Sequence, residues 1–136
     1  MTTSEITYKW RGPVTDPELD ALHAEAFDHP HIPIAWTTQL TQNSLGWVTA
    51  RDPDDALLGF VKVIWDGDAH AFLLDTMTTS KAHRQGIGTE LVAIATREAR
   101  AAGCEWLHVD FEPHLAPFYF QACGFRPTDA GLIQLK

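Results

Sequence analysis

The stretch His83-Arg84-Gln85-Gly86-Ile87-Gly88-Thr89-Glu90 places two glycines around one isoleucine, directly ahead of a helix-forming pattern. A glycine-rich turn that runs into a helix exposes several backbone N–H groups. With the helix dipole behind them, those groups bind a phosphate or pyrophosphate. Glycine suits the task because it has no Cβ to hold a ligand off the backbone and tolerates positive φ at little cost. Such turns also serve as plain connectors, so the stretch alone leaves both readings open. Two familiar phosphate motifs are excluded. The GxGxxG pattern fails because Leu91 stands at the third glycine position, and the P-loop fails for want of a Lys-Ser or Lys-Thr pair in the right place.

A second candidate is Asp75, alone in the apolar run Ala71-Phe72-Leu73-Leu74-Asp75-Thr76-Met77-Thr78. A carboxylate buried without a partner is costly, so Asp75 is expected to face a cleft or to have a partner. A third is the run His108, Asp110, Glu112 and His114, at alternate positions that share one face of a strand. These residue types are common metal ligands, but the pattern equally fits a substrate or proton relay, or an ordinary solvated strand end. His23, His29 and His31 read as helix and loop residues without a catalytic role, and Trp36, Trp47 and Trp65 as core or cleft wall.

The elements that must carry these residues follow from patterning. Ile6–Trp10 reads as a strand. Thr15 or Asp16 caps a helix with Pro17 in its first turn and Glu18 three residues after Thr15, and Leu19, Leu22 and Ala26 form its apolar stripe. A short helix is expected over Ala35–Gln42. Two β-rich runs follow from Leu45, separated by a turn at Asp52-Pro53-Asp54-Asp55, and an Asp66-Gly67 hairpin leads into the strand that holds Asp75. The helix after the glycine turn carries Leu91, Val92, Ala95, Ala99 and Ala102 on one face and ends at Gly103, with the start placed at Thr89. Glu105–Phe111 reads as a strand and Leu115–Ala122 as a short helix ending at Gly124. The tail is expected to form a strand or hairpin around Asp129-Ala130-Gly131. The predicted fold is α/β with a mixed sheet, three antiparallel strands preceding a strand–helix–strand crossover.

At 136 residues the chain is expected to be one domain over 1–136. With 45% hydrophobic and 21% charged residues it fits an ordinary soluble globular class. A formal net charge of −8 argues against nucleic acid as partner and is compatible with a cationic substrate. The start of the chain lacks the pattern of a secretory signal, and the longest apolar run is too short for a membrane helix. Cys104 and Cys123, in no CxxC pattern, read as two reduced thiols. A cytoplasmic protein with no membrane partner, monomeric or homodimeric, is the expectation.

At this point the sequence resembles a known family, the GCN5-related N-acetyltransferases. Their signature, R/Q-x-x-G-x-G/A, lies between the fourth strand and third helix. Here Gly86, Ile87 and Gly88 match it, while His83 replaces the leading Arg or Gln and Arg84 follows one step later. The family's glycine near the start of the third strand has a counterpart in Leu58-Gly59-Phe60. Its A-x-x-F/Y-Y/F-x-x-x-G-F pattern has one in Ala116 to Phe125. The element order agrees along essentially the whole chain.

The resemblance implies an acetyl-CoA-dependent N-acetyltransferase fold with a cleft between splayed fourth and fifth strands. It implies that Thr78, His83, Arg84, Gln85, Gly86, Ile87, Gly88 and Thr89 contact acetyl-coenzyme A, with an amide near Thr76–Thr78 polarising the carbonyl. It implies a tyrosine that protonates the leaving thiolate. Counting four residues back from Gly124 gives Phe120, with Tyr119 beside it. Either the helix carries an extra residue and Tyr119 reaches the sulfur, or Tyr119 is core and another group donates. Asp75 is the expected base or amine-binding carboxylate, and Trp36 and Asp110 are expected on the acceptor side. The implied acceptor is a primary amine of a small molecule, or else of a peptide or protein, and no metal is expected. Two rivals stand: a non-catalytic coenzyme A-binding module, for which Phe120 is the argument, and a metal-binding protein built on His108–His114.

Overall fold

A computed structural model describes residues 5–82 and 85–136. The capping box predicted at Thr15 is present: the Thr15 hydroxyl accepts from the Glu18 amide, and the Glu18 carboxylate accepts from the Thr15 amide. It starts α1, Asp16–Ala26, after the strand β1, Thr7–Trp10. Leu19 and Leu22 are buried as expected. Ala26 is exposed at the frayed end of the helix, and Ala24 is buried instead. The second helix, α2, spans Trp36–Asn43.

Three long-range pairings then build the sheet. β2 (Gly46–Arg51), β3 (Leu57–Trp65) and β4 (His70–Thr78) join β1 in the order β1-β2-β3-β4, all antiparallel. The turn after β2 is tied by the Asp52 carboxylate, which accepts from the Asp54 and Ala56 amides. The turn before β4 is tied by Asp66, which accepts from the Asp68 and His70 amides, and Gly67 supplies the positive φ of 84°.

The chain next enters α3, Ile87–Ala101, and returns as β5, Trp106–His108, parallel to β4. The helix starts two residues before the expected Thr89, with Gly86 as its cap at φ 73°. Ile87, Leu91, Val92, Ile94, Ala95 and Ala99 are buried against the sheet, while Ala102 is exposed because the helix has already ended there. Gly59 lets α3 lie close: a Cβ there would sit 2.8 Å from Ile87 Cγ2 and 3.2 Å from the Met77 carbonyl oxygen.

The sheet is covered on both faces. Val48, Ala50, Val61, Val63, Ala71 and Leu73 pack against α3. Phe60 and Met77 pack on the opposite face against Leu19 and Leu22 of α1 and Trp36 and Leu40 of α2. This division exposes a break in strand parity. Leu73 and Met77 are an even number of residues apart, so regular alternation would place both on one face. They lie on opposite faces because β4 carries an extra residue. Phe60 pairs with Met77 but Lys62 pairs with Leu74, so two steps on β3 match three on β4. Asp75 lies in this bulge at φ 56°, left-handed backbone that Asp tolerates better than most residues.

Two expectations of strand are corrected. β5 is three residues long, not seven, because the ladder with β4 ends at Phe72–His108 and the chain then diverges from its neighbour. The terminal strand or hairpin around Asp129-Ala130-Gly131 does not form. Three paired residues on β5, followed soon by Pro113, leave no edge long enough to pair with it. Leu132, Ile133 and Leu135 are accordingly 83%, 85% and 89% exposed.

Candidate active site

The divergence of β4 from β5 opens a cavity of about 340 Å³ on the α3 side, whose lining includes Thr76, Thr78, Gly86, Gly88, Phe118 and Tyr119. Its floor is the start of α3. The first helical bond runs from the Glu90 amide to the Gly86 carbonyl, so the amides of Ile87, Gly88 and Thr89 have no partner within the helix. Three amides with no hydrogen-bond partner among the described residues, at a helix N-terminus, suit an anion. Gly88 keeps that floor open, since a Cβ would lie 3.1 Å from the Phe118 ring. Gln85 is exposed beside the turn, and the predicted contacts His83 and Arg84 lie outside the described residues.

The far wall is a short helix, Pro117–Ala122, wound as a π-helix. The Cys123 amide bonds to the Phe118 carbonyl at 2.9 Å, a span of five residues instead of four. The helix therefore does carry the extra residue. Tyr119 lines the cavity together with Thr76 and is stacked on Phe111 with ring centroids 4.6 Å apart. Burial raises the phenol above its ordinary pKa, opposed by the Thr76 side chain and reinforced by Asp110, so Tyr119 is held as a neutral hydrogen-bond donor. Asp110 itself is exposed at the rim, near enough for its charge to act on the phenol.

Asp75 and Thr76 are consecutive, yet the bulge sends Asp75 to the α1 side. There Asp75 Oδ2 lies 2.9 Å from the Lys62 ammonium, and Oδ1 lies 3.6 Å from His23 Nε2. Of the two alternatives for Asp75, the partner is present; the carboxylate is partly exposed and does not line the cavity beside Tyr119. Lys62 is only 6% exposed. It also donates to the Gln39 side chain and sits 5.4 Å from the centroid of the Trp36 ring. Trp36 is 1% exposed and donates its indole N–H to Asp20 at 2.9 Å. It backs the cluster from beneath, 5.5 Å from the His23 ring, and has no open face toward the cavity.

Sequence reasoning passed over His23 and Lys62. Lys62 registered only as a break in an apolar run. The available signal was an opposite charge in each of two neighbouring apolar strands. His23 carried no signal, because its meeting with Asp75 depends on how α1 lies on β4.

The run His108–His114 is exposed at its four polar positions, with Val109 and Phe111 turned toward the core between them. His108 pairs with His70 at 2.8 Å and stacks on Phe72. Among the described residues, no three His, Cys, Asp or Glu side chains gather closely enough to hold a metal ion. Cys104 and Cys123 are free thiols. Burial pushes the Cys123 thiol up to about 11 and raises that of Cys104 as well.

Residues 7–125 match the model of the acetyltransferase (GNAT) family. The chain belongs to this family. Several solved structures similar to it are of acetyltransferases. One is a probable acetyltransferase from meticillin-resistant Staphylococcus aureus, 21% identical with a TM-score of 0.76, over 98% of this chain and 99% of that one. A Trypanosoma brucei acetyltransferase is 14% identical, with a TM-score of 0.78 over 96% and 99% of the two chains. The aminoglycoside N-acetyltransferase AAC(6')-Iy, solved with coenzyme A, is 19% identical with a TM-score of 0.77 over 99% and 97%. No curated protein sequence matches the chain significantly. The GNAT fold accounts for the parallel β4–β5 pair that separates below the glycine turn. No helix among the described residues is long and apolar enough to cross a membrane.

Proposed function

We propose that this GNAT acetyltransferase moves an acetyl group from acetyl-coenzyme A to a primary amine carried by a small molecule. The observation that carries the reading is that one cavity holds both the unpartnered amides at the start of α3 and the phenol of Tyr119. The amides of Ile87, Gly88 and Thr89, with Gly86 turning the chain into them, hold the pyrophosphate. Hydrogen bonds to a charged group contribute about 1.5–3 kcal/mol each. Gln85 borders the same phosphates, a role the family pattern also assigns to His83 and Arg84, and Thr78 borders the arm that runs along β4.

When bound, the cofactor supplies an activated acyl thioester. The chain supplies the rest. Tyr119 donates a hydrogen bond, then a proton, to the departing sulfur, and Thr76 and Phe111 fix its ring. A β4 amide near Thr76–Thr78 stabilises the carbonyl oxygen as charge develops there. The amine arrives from the α1 and α2 side, where Asp75 anchors the polar wall and Trp36 backs it. Asp110 and Glu112 make the rim beside Tyr119 acidic, which favours a cationic acceptor. The coenzyme A complex of the aminoglycoside acetyltransferase neighbour supports both the cofactor and the class of acceptor.

The experiment is thiol release from acetyl-coenzyme A across a panel of small amines, with thermal shift beside it. A ligand at about 100 times its Kd adds roughly 2.7 kcal/mol. In a chain of this size that is a rise on the order of 10 °C. Absence of any shift overturns the cofactor assignment. A shift without thiol release from any amine favours the non-catalytic binding module.

A further inference from the structure

We propose that His23 is the base that takes the acceptor amine's proton, and that His29 is a positioning residue that keeps His23 in the required tautomer. This deepens the acetyltransferase reading and rests on it.

The tautomers follow from a chain of hydrogen bonds. His29 Nδ1 lies 2.6 Å from the Pro30 carbonyl oxygen, which can only accept, so His29 Nδ1 carries the hydrogen. In neutral His29 the Nε2 is then bare. It lies 2.6 Å from His23 Nδ1, which must therefore carry a hydrogen and donate it. His23 Nε2 is left with its lone pair, facing Asp75 Oδ1 at 3.6 Å. Two acceptors face each other across a gap that an N–H donor would satisfy. An ammonium is such a donor.

The step balances in protons. The ammonium gives one N–H to His23 Nε2 and becomes a free amine. The resulting imidazolium donates Nδ1–H to His29 and turns Nε2–H toward Asp75, then releases its extra proton to water. Asp75 is poorly placed to act as base itself, because its other oxygen is held 2.9 Å from the Lys62 ammonium.

The groups facing His23 are Asp75 on β4, Lys62 on β3, Asp20 on α1 and His29 in the loop after α1. Burial is the largest influence and lowers the His23 pKa. Asp75 opposes that, His29 and Lys62 add to it, and Asp20 opposes it less. His23 is thus neutral, and competent as a base, at neutral pH. A proton added to His29 would reverse the chain, forcing His23 Nδ1 to accept and its Nε2 to carry the hydrogen.

The test compares His23→Gln, His29→Leu and His29→Gln with the parent, using an alkylamine and a weakly basic amine that is already neutral at assay pH. His23→Gln should lower kcat/KM about 100-fold for the alkylamine and under about 5-fold for the neutral one, with acetyl-coenzyme A affinity unchanged. His29→Leu should lower the alkylamine rate about 10-fold, and His29→Gln, which keeps an acceptor, should restore it. The parent's kcat/KM should rise with pH through a limb below about 6.5. Imidazole nitrogen shifts should report His23 as the Nδ1–H tautomer in the parent and a mixture in His29→Leu. Equal losses for both amines, no loss at all, or an Nε2–H tautomer in the parent overturns the assignment of His23. A parent that neither binds acetyl-coenzyme A nor releases thiol overturns the acetyltransferase reading as well, while the tautomer measurement still judges the His23–His29 pair alone.

Discussion

The Lys62 ammonium lies 2.9 Å from the Asp75 carboxylate, and each comes from an otherwise apolar strand. Neither charge would survive there singly. Removing one partner of a buried pair strands the other, at a cost of about 3 kcal/mol. Asp75→Asn should therefore lower stability in urea unfolding by about that amount. The double variant Lys62→Met with Asp75→Asn should recover most of it. If the two single losses simply add, the ion pair does not hold the bulge.

The glycine turn makes two separable predictions. Gly86 stands at φ 73° with nothing within 4 Å of an added Cβ, so Gly86→Ala meets only backbone strain, about 1 kcal/mol of stability. Gly88→Ala instead presses on the Phe118 ring at 3.1 Å and narrows the cavity floor. It should weaken acetyl-coenzyme A binding at least about 10-fold by calorimetry, more than Gly86→Ala does. The reverse order would place the cofactor elsewhere.

The π-helix sets Tyr119, and not Phe120, on the cavity. Tyr119→Phe should lower the rate of thiol release about 10-fold or more. Adding Phe120→Tyr to that variant should restore nothing. Rescue by the added Phe120→Tyr change would mean that the helix rewinds when cofactor binds.

Two carboxylates tie α1 down and give stability a defined pH dependence. Hydrogen bonds from Arg51 hold Glu18 below its ordinary pKa, and bonds from the Ser80 amide and hydroxyl do the same for Glu25. A carboxylate whose folded pKa is depressed adds stability above its unfolded value of about 4.3 and loses it as pH falls through the folded value. Glu18→Ala, which also breaks the helix cap, should cost about 1–2 kcal/mol at pH 7. Glu25→Gln should cost less. Both deficits should shrink toward pH 3 in denaturant titrations, and a deficit independent of pH would rule out the charged form as their cause.

Much of this was legible in the chain. Thr15 and Glu18 announce their cap because a capping box is local, complete within four residues. Gly86 and Gly88 announce the turn that starts α3 because the backbone geometry they permit is their own. The element order through β5 followed from periodicity and turn chemistry. Three things were not legible. The terminal strand failed because pairing needs an edge, and the length of β5 is decided by where β4 and β5 separate. The offset between Tyr119 and Phe120 was settled by one extra residue in a helical turn, which side-chain pattern alone leaves ambiguous. The direction of Asp75 was settled by a bulge that depends on the register between two strands.

The sequence by itself determined the local devices: caps, turns, the glycine pair ahead of α3, and which faces must be buried. The tertiary structure alone decided that Asp75 meets Lys62 and His23, and that His23 meets His29. Those contacts join β3, β4, α1 and the loop behind it, and nothing in a one-dimensional pattern fixes the angle at which a helix lies across a sheet.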